Sequence, residues 1–404
     1  NYVYTYGQND LISTFEKKQL IMTSRAALNY NGLFQKILIF ILVISNATCR
    51  SSQKTHLDQV KPNTSHLVTQ AEDFTNLLIV DSLGITGADG SISFPLDQDQ
   101  SLFMMGDSFL SPIQNKKRDP KSIMINNTFI LIHKKKESHH ALYNNTPKGP
   151  DALLKPTYGN PKEYYWPGHG FQRNGIIHLF MSRFLSGDYD WGFKFSGTDY
   201  IRMDKNTFKV LTQQDFPYSN INNVHYGHSI LNEKKETYIY GAWSRNDSTA
   251  MHVAKATLNL KSNQMNSFEF FDGKNWTSDP LKSKPLIGIH KPVPEQFSVF
   301  KQGDVYVLIL QARELGNGNI YSYIAETPTG PWKNEKLLYQ TTEQKNVEDQ
   351  IFTYNAMAHP QYIADNKLLI SYCVNSFDVK KIHEVNTDYY RPKFIWVPIE
   401  IILE

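Results

Sequence analysis

Five times along the chain, roughly 60 to 80 residues apart, two short apolar segments stand either side of a cluster of turn residues. The downstream segments read Leu102–Gly106, Ile177–Arg183, Thr237–Trp243, Val305–Arg313 and Leu368–Val374. Their upstream partners are Gly90–Leu96, Gly168–Arg173, Gly227–Asn232, Gln296–Lys301 and Ala358–Ile363. Between the members of each pair lie Asp97–Gln98–Asp99, Arg173–Asn174–Gly175, Asn232–Glu233–Lys234, Gln302–Gly303–Asp304 and Asp365–Asn366, all rich in residues that turn a chain. A unit this small must bury its apolar faces against neighbouring units. The repeat therefore predicts an all-β domain, a five-bladed β-propeller with four-stranded antiparallel blades. The alternating segment Phe394–Glu400 is expected to close the ring by completing a blade begun near the N-terminus, with Leu77–Val80 as its partner.

Each upstream strand is headed by a polar residue: Asp89, His169, His228, Glu295 and His359. Antiparallel pairing brings the ends of the downstream strands to the same side, which adds Asp107, Arg183, Arg245, Arg313 and Asn375. A concave mouth with this polar and aromatic lining suits a small ligand such as a sugar. Asp89 before glycine is also a common turn aspartate, and Asp107 a strand-end residue that satisfies backbone amides. Glu295 at the head of an inner strand needs solvent, a partner or a task. Hydrolysis of a glycosidic bond requires two carboxyl groups straddling it, one of them with a raised pKa. On the first and fourth units, Asp89 and Glu295 are expected to face one another across a sugar ring, with Asp107 tuning its neighbour.

Around them, Trp166, Tyr226 and Tyr354 offer faces for stacking on a sugar, with core packing as the alternative for each. Arg313 and Arg391 suit the carboxylate of an acidic sugar, or else structural pairing with Glu314 and Asp388. His169, His228 and His359 with a nearby carboxylate form a set that can bind a metal, but they lack short ligand spacing. Sugar binding or hydrogen bonding between blades is the plainer role, so no cofactor is expected, with a metal ion as the lesser alternative.

The chain carries 42 Lys and Arg against 39 Asp and Glu, a formal charge of +3, and its basic tripeptide Lys134–Lys136 is too short to track a phosphate backbone. Nucleic acid is not an expected partner. No Gly-x-Ser-x-Gly, P-loop or His-Glu-x-x-His motif occurs. The two cysteines cannot make a disulfide framework; Cys373 lies within an apolar strand and reads as a buried core residue. Cys49 ends the apolar run Leu33–Ile44 and the small residues that follow it, too short for a membrane span and suited to a secretory leader. Residues 1–49 are expected to be a signal region, with 1–21 preceding the first plausible start at Met22. Cys49 resembles a bacterial lipoprotein processing site, which would give a lipid-anchored envelope protein. Cleavage after Ala47 would give a secreted one. Residues 50–73 read as a polar tether and 74–404 as the propeller.

Several motifs are similar to those of the five-bladed propeller glycosidase families, and especially of a group of exported bacterial domains of unknown function. The opening blade Thr86–Gly87–Ala88–Asp89–Gly90–Ser91–Ile92–Ser93–Phe94–Pro95–Leu96, followed by Leu102–Phe109, resembles that group. So does the closing blade, Tyr354–Asn355–Ala356–Met357–Ala358–His359–Pro360 with Leu369–Ser376, and Ala325–Trp332 is similar to a turn of propeller glycosidases. The resemblance covers about residues 77–398. Some members of this broad group resemble arabinan- or furanoside-cleaving enzymes. The resemblance implies glycan hydrolysis, with Asp89, Asp107 and Glu295 as the acidic residues of the cleft and His359 beside them. The resulting expectation has Glu295 as general acid, Asp89 as base or nucleophile and Asp107 as tuner. His169, His228, His359, Tyr226, Asn355, Arg391, Trp166 and Arg313 are expected to bind a carbohydrate. A non-catalytic glycan-binding propeller and a metal-dependent lyase or hydrolase are the alternatives.

Overall fold

The computed structural model describes residues 64–78, 84–189, 192–245, 248–259, 261–314 and 316–404. Residues 1–63, which include Cys49 and the expected signal region, lie outside them. Among the described residues no helix is long and apolar enough to cross a membrane.

Five antiparallel sheets of four or five strands carry the structure. In chain order their first two strands are Ile92–Pro95 with Gln100–Met105, Glu163–Arg173 with Ile176–Ser186, Val224–Glu233 with Glu236–Arg245, Ser298–Gln302 with Val305–Gln311, and Ile351–Ala364 with Lys367–Ser376. All ten strands read from the sequence are present in the expected pairings. The turns work as their residues dictate: Asn174–Gly175 and Asp365–Asn366 both take the left-handed conformation at two successive positions, as a tight two-residue hairpin requires.

Alternation along the strands explains their apolar character. In Val305–Gln311, Leu308 and Leu310 pack into a core shared with the third sheet, whereas Val307 and Ile309 pack into one shared with the fifth. In Gln100–Met105, Leu102 and Met104 face the second sheet, while Phe103 and Met105 join Leu369 and Phe394 of the fifth. Both faces of each strand are buried, so each reads as a continuous apolar run. The first strand of each sheet touches that of the next, and the first strand of the fifth touches that of the first.

The fifth sheet is completed from the other end of the chain. Its third strand, Pro392–Pro398, pairs with Thr69–Gln70, Thr69 lying opposite Trp396. The expected partner was Leu77–Val80, but Leu77 and Leu78 lie in the helix Glu72–Leu78. That helix presses Phe74 onto Phe103 and Phe394, at ring separations of 5.7 and 4.9 Å, and so caps the core between the fifth and first sheets. The sheets belong to one unit, Thr64–Gly187 with Lys194–Glu404.

Candidate functional site

Asp89 sits in the loop that enters the first sheet, and Asp107 at the end of that sheet's second strand. A backbone hydrogen bond from Gly106 N to Asp89 O, 2.9 Å, brings the two loops together. The absence of a side chain at Gly106 leaves room for the Asp89 carboxylate, which a Cβ there would strike. Gly90 adopts φ +94° and donates its N–H to the buried Cys373 sulfur at 3.2 Å, fixing the turn from the other side. Tyr354 Oη donates to Asp89 Oδ2 at 2.9 Å. Asp107 Oδ1 accepts from Trp166 Nε1 at 2.7 Å and from Asn126 Nδ2 at 3.0 Å.

These two carboxyl groups perturb each other. Burial, and then the charge of Asp107, pushes Asp89 up to about 7 against the hydrogen bonds that favour its ionised form. Burial likewise pushes Asp107 up to about 6, opposed by its bonds from Trp166 and Asn126. Near neutrality the pair therefore holds about one proton. Beside it lies a cavity of about 220 Å³ lined by Asn126, Asp151, Leu154, Glu163 and Tyr164 among others. Asn126 links this cavity to Asp107, and Tyr164 meets Trp166 edge-on at 5.5 Å.

Glu295 belongs to a second cluster, with His225 and His228. Its Oε2 lies 3.5 Å from His225 Nδ1 and 3.7 Å from His228 Nε2. Burial would raise its pKa, but the His225 hydrogen bond and the charges of His225, His228 and Arg313 prevail and hold it at about 2. A carboxyl held this low is ionised at neutral pH, a state that suits an anionic role for Glu295 better than the expected one of general acid. The charge that acts on Asp89 is that of Asp107. A line of aromatic contacts connects the clusters: Trp166 to Phe184 at 4.6 Å and Phe184 to His225 at 6.1 Å.

The two histidines share a face because the strand is bulged. Pairing jumps from Tyr226 opposite Gly241 to Ser229 opposite Tyr240, leaving Gly227 and His228 unpaired. Gly227 has φ +102°, and a Cβ there would press on the Phe180 ring. The second and fifth sheets are bulged at the corresponding place, with Gly168–His169 set against Phe180 and Asn355–Ala356 against Tyr372. His169 therefore matches His228, but the counterpart in the fifth sheet is Ala356, not His359.

Other expected site residues take structural places. His359 is fully buried, with Nδ1 2.6 Å from Ser93 Oγ and Nε2 2.9 Å from Ser371 Oγ, so both ring nitrogens are satisfied by hydroxyls of the first and fifth sheets. It joins sheets and has no face for a sugar. Tyr226 is also fully buried, in the core between the second and third sheets, with its hydroxyl near Ser283 Oγ at 3.2 Å; the stacking role is corrected to core packing. His169 Nδ1 accepts from Ile230 N at 3.1 Å across to the third sheet. Arg391 donates to Thr86 O and to Asp388 Oδ1, both at 3.1 Å, bracing the Asp89 loop. Asn355 takes φ +56° in its bulge and is half-buried next to Tyr354. Arg313 is exposed and close enough to Glu295 to lower its pKa. Sequence reasoning missed His225, Asn126 and Tyr390, the last a hydrogen-bond partner of Asp89. Only His225 left a signal: a histidine three residues before another, with a glycine between them to permit a bulge.

A model of one protein family, described as a domain of unknown function (DUF5005), matches residues 71–398. No curated protein matches. Among solved structures, a protein of Bacteroides ovatus ATCC 8483 assigned as a hydrolase is 19% identical at a TM-score of 0.66, over 82% of this chain and 90% of that one. An enzyme named GH43_1 from Xanthomonas citri, complexed with xylose, is 12% identical at a TM-score of 0.47, over 78% and 88%. An α-L-arabinofuranosidase from Podospora anserina in complex with cellotriose is 12% identical at 0.44, over 78% and 92%. The chain thus shares its all-β fold with the Bacteroides protein.

Proposed function

This chain belongs to the DUF5005 family, and we propose that it is a glycoside hydrolase built on a five-bladed propeller, with Asp89 and Asp107 as its acid–base pair. The five sheets are the blades, and the N-terminal Thr69–Gln70 strand closes the ring. The observation that carries the activity is the pair itself: two half-buried carboxyl groups on loops joined by the Gly106 N–Asp89 O hydrogen bond, with pKa values displaced to about 7 and about 6. Such a displacement separates a proton donor from an ionised partner at neutral pH. Asp89 protonates the glycosidic oxygen as its bond to the anomeric carbon breaks. Asp107, held ionised by Trp166 and Asn126, takes the proton of the water that attacks that carbon. The cavity beside Asn126 and Tyr164 receives a sugar unit, its polar groups meeting hydroxyls and the Tyr164 ring meeting a C–H face. The motif resemblance to propeller glycosidases supports a glycan as substrate. The leader-like run before Cys49 supports export, with a lipid anchor if that cysteine is the processed residue.

The test is a hydrolysis screen of the purified protein on plant, algal and bacterial polysaccharides. Asp89→Asn and Asp107→Asn serve as controls. The active protein should follow a narrow bell of kcat/KM against pH between about 6 and about 7, limits that belong to the pair as a whole. Turnover that survives both substitutions removes the pair from the mechanism. Retention on one glycan without turnover identifies a binding propeller instead.

A further inference from the structure

We propose that His225, His228 and Glu295 bind a divalent transition-metal ion, through Nδ1 of His225, Nε2 of His228 and Oε2 of Glu295, with a fourth position open to solvent. The three ligand atoms lie within 4.8 Å of one another. Zinc bonds of about 2.0–2.1 Å in tetrahedral geometry place ligand atoms about 3.4 Å apart. The separations from Glu295 Oε2, 3.5 and 3.7 Å, are already close to that value.

Three further observations point to a ligand. His228 is only 3% exposed, and neither of its ring nitrogens has a hydrogen-bond partner among the described residues, although Nε2 is directed at the Glu295 carboxylate. Burying an imidazole without a hydrogen bond is costly, and coordination would satisfy it. His225 is oriented as a metal ligand should be. Its Nε2 is 2.8 Å from the buried Ser182 Oγ, which leaves Nδ1 with its lone pair towards the site when Nε2 carries the proton. The Glu295 side chain is half-exposed, so the cluster opens to solvent on that side and a water or substrate oxygen can complete the shell. Two imidazoles and one carboxylate favour zinc and its neighbours over calcium or magnesium, which prefer oxygen alone. The site does not depend on the Asp89–Asp107 reading.

The experiment treats the full-length chain with EDTA and titrates it with Zn²⁺ against a chromophoric chelator. One equivalent should bind. Glu295→Gln, at a half-exposed position that the fold tolerates, and His225→Gln should each weaken binding at least about 100-fold, and Ser182→Ala about 10-fold. Co²⁺ in place of Zn²⁺ should give the visible absorption of a four-coordinate ion, lost in Glu295→Gln. Absence of stoichiometric Zn²⁺ binding, affinity unchanged in both ligand variants, or preferential uptake of Ca²⁺ would each overturn the proposal. The first outcome would leave the cluster a histidine–carboxylate ion pair.

Discussion

Replacing Asp89 by asparagine should make the protein more stable, by an amount that depends on pH. In the fold Asp89 holds its proton up to about 7, against an ordinary value of 3.8. Between those pH values the folded state binds a proton that the unfolded state has released, so stability falls as pH rises. The slope is about 1.4 kcal/mol per pH unit, and the loss is complete only above the folded pKa. Over the whole window it amounts to about 4 kcal/mol. Asparagine has nearly the same shape and its carbonyl still accepts from Tyr354, but it carries no charge to bury or to oppose Asp107. It accepts the Asp107 backbone N–H less strongly than a carboxylate does, which reduces the expected gain to about 2–4 kcal/mol at pH 8. The gain should vanish near pH 4, where wild type is protonated in both states. The assay is urea unfolding of both proteins at pH 4, 6 and 8, read as the difference between them. Buried histidines that lose stability at low pH, such as His252, contribute equally to both and cancel. A difference that does not change with pH, or a variant less stable at pH 8, would refute the claim that Asp89 is held in a strained ionised state.

Trp166→Phe removes the indole N–H from Asp107, so the Asp107 pKa should rise and the acid limb of kcat/KM should move to higher pH; a pH–rate profile with that limb unmoved refutes the assignment. Gly106→Ala drives a methyl into the Asp89 carboxylate and should abolish turnover while costing about 1–3 kcal/mol in a denaturant melt. His359→Ala empties a fully buried position and removes the ring partner of Ser371 and of Ser93, the latter keeping its bond from Gln361, so it should cost about 2–4 kcal/mol. KM of the remaining folded protein should be unchanged, and an increase would return His359 to the sugar site.

The fold was legible because its information is local. Paired apolar runs with turn residues between them determine strands, and their repetition determines how the sheets must cover one another. All five hairpins lie where the residues place them. What sequence could not resolve was the N-terminal edge. Leu77 and Leu78 are apolar enough for a strand, and only their packing through Phe74 on Phe103 and Phe394 selects the helix. The burial of Tyr226 and His359 was hidden for a related reason: an aromatic or imidazole at the head of an inner strand looks the same whether it faces the mouth or the next sheet. Facing is set by the bulges: one extra residue reverses the side on which the following residues emerge, and a residue left unpaired within a bulge departs from the regular alternation.

The two acidic centres show how far that geometry controls chemistry. Asp89, Asp107 and Glu295 are all carboxyls near strand ends, and composition gives no reason to separate them. The structure does so through their neighbours. Asp89 and Asp107 have neutral donors around them, so burial, and for Asp89 the charge of Asp107 as well, favours a retained proton. Glu295 faces two imidazoles and Arg313, so its charge is welcome and a proton is not. The residue that gathers the two imidazoles beside Glu295 is Gly227. Its positive φ permits the bulge that lets His225 and His228 reach the same carboxylate. Filling the bulge with Gly227→Ala, whose Cβ would meet Phe180, should therefore disperse this cluster and leave the Asp89–Asp107 pair in place. Loss of Zn²⁺ affinity together with an unshifted pH–rate profile would establish the two centres as separate devices, and a shift in both would show them to be coupled through Trp166 and Phe184.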